Sequence, residues 1–268
     1  MTEPRYVERA PSPELAEWIE CYWSIRGQAA EPVPNRVLPD GCSDLILGIE
    51  GMGPAVVGTM RTASLYPVRG AVDMFGVRFR PGGAARFLGV PLRELTDRRV
   101  PLDELWGSGA ARLADAADPV TMDERVAVAE RVLLARLRAW AARLTAAEEL
   151  AARAVTLLRR ARGGVGVREV AAALGVGERR LERAFDHAVG LGPKALAGVL
   201  RFRRLVRLID EARSRGPIAW AALAADAGYA DQPHLVREFK RLAGLTPARY
   251  EAERTGVGFV QDPVEAAP

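Results

Sequence analysis

Residues 228–250 read GYADQPHLVREFKRLAGLTPARY, and the fold turns on whether this stretch is one basic helix or half of something larger. Gly228 at one end and Gly244-Leu245-Thr246-Pro247 at the other are turn signals, and Asp231 is a good N-cap for the helix between them. Leu235, Phe239 and Leu242 recur at helical spacing, so one face is apolar. Gln232, His234, Arg237, Lys240 and Arg241 are left to face outward.

The stretch has a partner upstream. LERAFDHAVGLGP (181–193) set over LVREFKRLAGLTP (235–247) aligns Leu181/Leu235, Phe185/Phe239, Gly190/Gly244, Leu191/Leu245 and Pro193/Pro247. Upstream the match continues through Val170/Leu223, Ala171/Ala224, Leu174/Ala227 and Gly175/Gly228, with one extra residue in the second turn. Each copy is a short helix, a glycine suited to the left-handed region, a tight turn and a second helix, which is the plan of a helix-turn-helix. In the first copy Gly177 takes the cap position as a weaker cap, and the outward residues are Arg179, Arg180, Arg183 and Asp186. Between the copies, ALAGVLRFRRLVRLIDEARS (195–214) keeps Leu196, Val199, Leu200, Leu205, Leu208 and Ile209 near a 3.6-residue period. It reads as a linker helix long enough to hold two reading helices toward successive major grooves, which repeat every ~34 Å.

Charge is segregated in the same sense. The 268-residue chain has 38 Lys/Arg against 34 Asp/Glu, but residues 153–254 hold 20 against 11, leaving 18 against 23 elsewhere. A positive C-terminal third suits a polyanion, although solvated basic helices give similar numbers. Two matched copies with Arg, Lys, Gln and His outward favour the DNA reading over a merely solvated face.

Residues from about Ala154 to Glu253 resemble the AraC/XylS-type DNA-binding domain of bacterial regulators, two helix-turn-helix units joined by a linker helix. The second unit carries the likeness: a Gly-aromatic turn, a polar pair, His-hydrophobic, a basic-Phe-Lys run, then Gly-x-x-Pro and an aromatic. The first departs from it at Gly177, where Ser or Thr is frequent, and at Asp186, where a basic residue is common. The resemblance implies that outward Arg side chains pair with guanine edges and Gln232 with adenine, each worth about 1–3 kcal/mol of discrimination. Lys240 and Arg241 would grip phosphates, which positions the protein without reading sequence. Asp231, which also caps the helix, and His234 at its start could read bases or grip phosphates, and the alternative for His234 is a surface residue bonding a backbone group or phosphate. Promoter DNA, a small-molecule effector and RNA polymerase are the implied partners, a homodimer is a further one, and no cofactor is implied.

The expected architecture is α+β: a β-rich regulatory domain over 1–115, amphipathic connecting helices over 116–152, the tandem helix-turn-helix domain over 153–254 and a tail over 255–268. NRVLPDGCSDLILGIE (35–50), AVVGTM (55–60) and AVDMFGVRFR (71–80) are strand candidates bounded by Gly and Pro, and RPGGAARFLGV turns into a short helix. LPDGCSDLIL, GVRFRPGGAARFLGVPLREL and DRRVPLDELWG resemble the N-terminal domain of a subset of AraC-like regulators. Residues 120–140 form an amphipathic helix, with Val126, Ala129, Leu133, Leu137 and Trp140 on one stripe that packs on its own domain or forms a dimer seam.

Other chemistry finds little support. Both histidines, His187 and His234, lie in the C-terminal third, so the N-terminal part has no imidazole for general base work or metal ligation. Gly-rich GMGPAVVG lacks the spacing of a nucleotide-binding loop. Cys21 and Cys42 are expected as free thiols in apolar surroundings, with a redox pair or a metal site with Asp40 and Asp44 as alternatives. Trp18, Tyr22, Trp23 and Phe79 are core residues or a ligand pocket lining. No run approaches the ~20 apolar residues of a membrane span, and the acidic start lacks a leader's apolar segment, so the protein is expected in the cytoplasm. Two rivals to a ligand-responsive regulator are an enzyme or repair protein with an appended DNA-binding domain and an architectural or constitutive DNA binder without a ligand.

Overall fold

A computed structural model describes residues 4–33, 35–49, 52–118, 121–140, 145–214 and 216–254; the expected tail falls outside them. The N-terminal half is built on strands β1 (Arg5–Arg9), β2 (Ile19–Val33), β3 (Arg36–Val37), β4 (Ser43–Leu47), β5 (Ala55–Val57), β6 (Ser64–Leu65), β7 (Val68–Phe79) and β8 (Arg99–Pro101). Six of them form one antiparallel sheet in the order β1-β2-β7-β4-β5-β8, and β3 pairs with β6 in a separate ribbon. Alternate residues of the central strands face one core: Tyr22, Leu45, Phe75, Val77 and Phe79 are fully buried, and helix α1 (Ala85–Leu88) closes over them with Phe87 and Leu88. Tyr22 stacks on Phe75 and Phe79 lies against Phe87. The opposite face carries a smaller cluster of Cys21, Trp23 and Ile25 with Tyr6, Ile46 and Met74 packed on it. Gly76 is obligatory there, because a Cβ would collide with the Trp23 ring.

Cys21, Arg78 and Asp44 form one row across three strands. Arg78 is buried, 3.3 Å from Asp44, 3.7 Å from Asp40 and 4.0 Å from Glu8, so its charge is balanced from several sides. Trp23 donates its indole N–H to Asp44 at 2.7 Å. Burial raises the Asp44 carboxyl, and Arg78 opposes that rise.

Strand β2 was not among the expected strands, and the reason is visible in its packing. Cys21, Tyr22 and Trp23 are all buried because both faces of the sheet are covered at this point, so the two-residue alternation that marks a strand is lost. Register shifts at Ile19/Cys21 and Ala29/Val33 break the pattern again at its ends.

Helices α2 (Leu102–Trp106), α3 (Gly109–Ala114) and α4 (Met122–Trp140) follow the sheet. Ala129 and Leu133 of α4 are buried, Val126 and Leu137 half-buried, against their own domain. Buried Arg125 fixes the helix to β7 by donating to both oxygens of Asp73, at 2.6 and 2.9 Å. Val126, Ala129, Leu133 and Leu137 of the α4 stripe thus go into this packing, and the Trp140 side chain lies outside what the structure describes.

The C-terminal half is all helical: α5 (Ala146–Arg160), α6 (Val167–Ala173), α7 (Glu178–Ala188), α8 (Pro193–Arg213), α9 (Trp220–Ala227), α10 (Gln232–Ala243) and α11 (Pro247–Arg254). A capping box between Thr145 and Glu148 starts α5, which runs across the 152/153 boundary expected from composition. Leu150, Ala154 and Leu158 bury it beside α7 and α8. The 21 residues of α8 make a rod of about 31 Å. Leu196, Val199, Leu205 and Ile209 are buried as expected, with Leu200 and Leu208 half-buried.

Candidate nucleic-acid interface

Each repeat folds as a helix, a tight turn and a second helix. In the first, Gly175 at φ +66° ends α6 and lets the chain turn, and Gly177 caps α7 by its extended backbone alone. In the second, Gly228 at φ +82° ends α9, and Asp231 accepts the His234 N–H at 2.6 Å to start α10. Leu181, Ala184, Phe185 and Ala188 bury one side of α7; Leu235, Phe239, Leu242 and Ala243 do the same for α10. Phe239 packs between Phe202 of α8 and Tyr250 of α11, at 5.1 and 5.3 Å, so the second unit shares its core with the linker.

That packing leaves the opposite faces to solvent. Arg179, Arg180 and Arg183 are exposed on α7, and Gln232, Arg237, Lys240 and Arg241 on α10, with Asp231 exposed at its cap. With the core side of α10 at Leu235 and Phe239, a turn of ~100° per residue puts Arg237 at the centre of the outward face, with Lys240 and Arg241 about 60° and 40° to its two sides. Arg179 and Arg183 occupy the same place on α7, where Asp186, half-buried, stands at the position Lys240 holds on α10.

Two candidates are engaged within the protein. Arg241 forks onto Glu238 at 2.9 and 3.2 Å, and this pairing raises the guanidinium and holds the carboxyl below its ordinary range. His234 accepts the Ala230 N–H through Nδ1 at 3.4 Å and meets the Tyr229 ring edge-on, which corresponds to the backbone-bonding alternative. Tyr229 is buried beneath it, and burial pushes its phenol up to about 12.

The alternative sites of the N-terminal half have a different geometry. Tyr22, Trp23 and Phe79 are core, and Trp18 lies against Phe87 and under the Arg86 guanidinium. Cys21 and Cys42 are free thiols, buried and half-buried respectively, and burial pushes both thiols up. Among the described residues, no group of three His, Cys, Asp or Glu is arranged to hold a metal ion, and no helix is long and apolar enough to cross a membrane.

Comparison with known families divides the chain along the same lines. Residues 170–253 match a helix-turn-helix domain family, covering both units and the linker. The C-terminal domain is an AraC-type helix-turn-helix domain. Residues 7–101 match a domain of unknown function, DUF6597. Among solved structures the chain is similar to ToxT of Vibrio cholerae: 11% identity over 93% of this chain and 97% of that one, with a TM-score of 0.39. The fatty-acid-bound ToxT of strain SCE256 gives 12% identity over 97% and 100%, with a TM-score of 0.41. Similarity at that level carries no functional argument. Comparison with curated protein sequences finds no match.

The helix-turn-helix domain supports a DNA-binding transcription regulator. Thr59, Thr96 and Arg36 of the N-terminal half touch the AraC-type domain, and none of them stood out in the sequence. An isolated Thr or Arg carries no periodic or motif signal; what it touches is set by the tertiary fold alone.

Proposed function

We propose that the chain controls promoters by sequence-specific binding of duplex DNA, with α7 and α10 entering successive major grooves and the N-terminal domain receiving the signal. The observation that carries this reading is that both repeats bury one helix face and turn outward a face with exposed basic residues, Arg179, Arg180 and Arg183 on α7 and Arg237 and Lys240 with Gln232 on α10. On α10, Gln232 and Arg237 read base edges, while Lys240 positions the protein on phosphates. On α7, Arg179, Arg180 and Arg183 take the corresponding roles, with Asp186 reducing the positive field where Lys240 strengthens it. Asp231 and His234 hold the entry of α10, and Arg241 stays forked onto Glu238, which keeps it from the phosphates. An effector of small-molecule type would act through the N-terminal domain and RNA polymerase would be met at the promoter, in the cytoplasm. A second copy of the chain would dock away from the α4 stripe. Because α5 packs with α7 and α8, the C-terminal unit is best taken to begin near residue 145.

The test is binding of full-length protein to a duplex selected from a random library and to a scrambled duplex. Arg237→Ala and Gln232→Ala should each weaken the selected duplex by about 1–3 kcal/mol and the scrambled one far less. Equal losses on both duplexes would remove these residues as base readers.

A further inference from the structure

We infer that Thr59, Thr96 and Arg36 are positioning residues: the N-terminal domain clamps both reading helices at the same point of the repeat and so fixes the half-site spacing the protein accepts. This inference rests on the DNA-binding reading and adds to it the element that sets the distance between the two heads.

The two docking points are equivalent by sequence. Val189 and Gly190 follow α7, and the matching positions are Ala243 and Gly244 at the end of α10. Both glycines are left-handed, at φ +83° and +77°. Helix ends present carbonyls that have no partner within the helix, and the N-terminal domain supplies donors to them in both copies. At the first, buried Thr59 donates its hydroxyl to the Val189 carbonyl at 2.7 Å and buried Thr96 to the Gly190 carbonyl at 2.8 Å. Ser43 of β4 lies 3.3 Å from the Thr59 hydroxyl; because the Thr59 proton goes to Val189, Ser43 donates into it and ties the contact to the sheet. At the second, Arg36 of β3 donates to the Ala243 carbonyl at 2.9 Å, and the Ala63 N–H donates to the Leu242 carbonyl at 2.7 Å. Arg36 makes the Ala243 bond through Nη1, and its Nη2 lies 3.4 Å from Glu253 of α11.

The fit at the first point is tight. A Cβ on Gly190 would stand 2.8 Å from the Thr96 hydroxyl and 2.9 Å from the Leu92 carbonyl. The linker α8 joins the heads once, and the N-terminal domain joins them a second time through separate segments, strand β3 and the connections at Thr59, Ala63 and Thr96. A double connection removes the hinge freedom a single rod would leave, so the heads are held in register with the ~34–36 Å repeat of the major groove over a narrow range only.

The experiment uses full-length protein and duplexes selected by the wild type from a random library, then rebuilt with one or two base pairs inserted or deleted between the half-sites. The wild type should lose about tenfold or more in affinity on these spacing variants. Thr59→Val with Arg36→Gln should lose less than about threefold, while Thr59→Ser, which keeps the hydroxyl, should match the wild type. Arg36 is partly solvent-exposed, so Arg36→Gln alone provides the test where Thr59→Val does not fold; it should by itself narrow the wild-type loss. Discrimination of spacing unchanged in folded Arg36→Gln, or a selected motif with a single half-site, overturns the clamp. Selection of no motif at all by the wild type instead overturns the DNA-binding reading.

Discussion

The salt dependence of DNA binding offers a quantitative check on the two heads. Six cations project from them: Arg179, Arg180, Arg183, Arg237, Lys240 and Arg241. Arg241 is already forked onto Glu238, so five reach the duplex without first breaking an ion pair with a carboxylate. Each cation delivered to duplex DNA releases counterions and contributes about −0.9 to the slope of log affinity against log salt. Five give a slope near −4.5, equivalent to a fall of about 500-fold between 50 and 200 mM salt. Lys240→Ala should shift the slope to about −3.6, or roughly 150-fold over the same range, whereas Arg241→Ala should leave it close to the wild type. Fluorescence anisotropy of a labelled duplex at four salt concentrations measures all three slopes. A wild-type slope shallower than about −2 would refute the assignment of these faces to DNA. Equal drops for Lys240→Ala and Arg241→Ala would refute the argument that Glu238 withholds Arg241.

Three further outcomes test other parts of the structure. Phe239→Ala removes a fully buried ring shared by α8, α10 and α11, and chemical denaturation should show a loss of about 3–5 kcal/mol; a loss below about 1 would mean the three helices do not share this core. Burial pushes the Asp73 carboxyl up, but hydrogen bonds and charge from Arg125 and Arg26 outweigh it, so it ionises below its ordinary value. A depressed folded value stabilises above the unfolded value of about 3.9 and is lost as pH falls, so the stability gap between wild type and Asp73→Asn should close below about pH 4. A gap that stays constant down to pH 2 contradicts the pairing with Arg125. Finally, the thiols of Cys21 and Cys42 are raised, so a thiol reagent at pH 7.5 should label the native protein slowly and the unfolded protein fast; rapid native labelling of either would reopen the redox alternative.

The C-terminal half was legible because local signals and tertiary demands coincide there. Gly175 and Gly228 sit where the backbone turns left-handed, Asp231 caps where a cap is needed, and Leu235, Phe239 and Leu242 keep the helical period through to the core. The N-terminal half was legible only in part. Strands β4 and β5 fall within expected segments and β7 overlaps one, beginning three residues earlier, but β2, the longest described strand, was hidden because both of its faces are covered around Tyr22. Of the candidate site, the outward residues of α7 and α10 followed from periodicity. The Arg241 fork onto Glu238 was available in principle as an i, i+3 pair of opposite charge. Thr59 and Thr96 were beyond reach, since their partners lie 130 and 94 residues away.

Among the described residues, three side chains and one backbone amide of the N-terminal half donate hydrogen bonds to the ends of the reading helices, and each of these four bonds ends on a main-chain oxygen: Val189, Gly190, Leu242 or Ala243. A carbonyl is the same group whatever residue carries it. The outward residues of α7 and α10 can therefore be exchanged for others without altering how the helices are seated. One N-terminal scaffold can thus serve many operator sequences, and the identity of the bases read is free to drift while the mounting of the two helices stays constant.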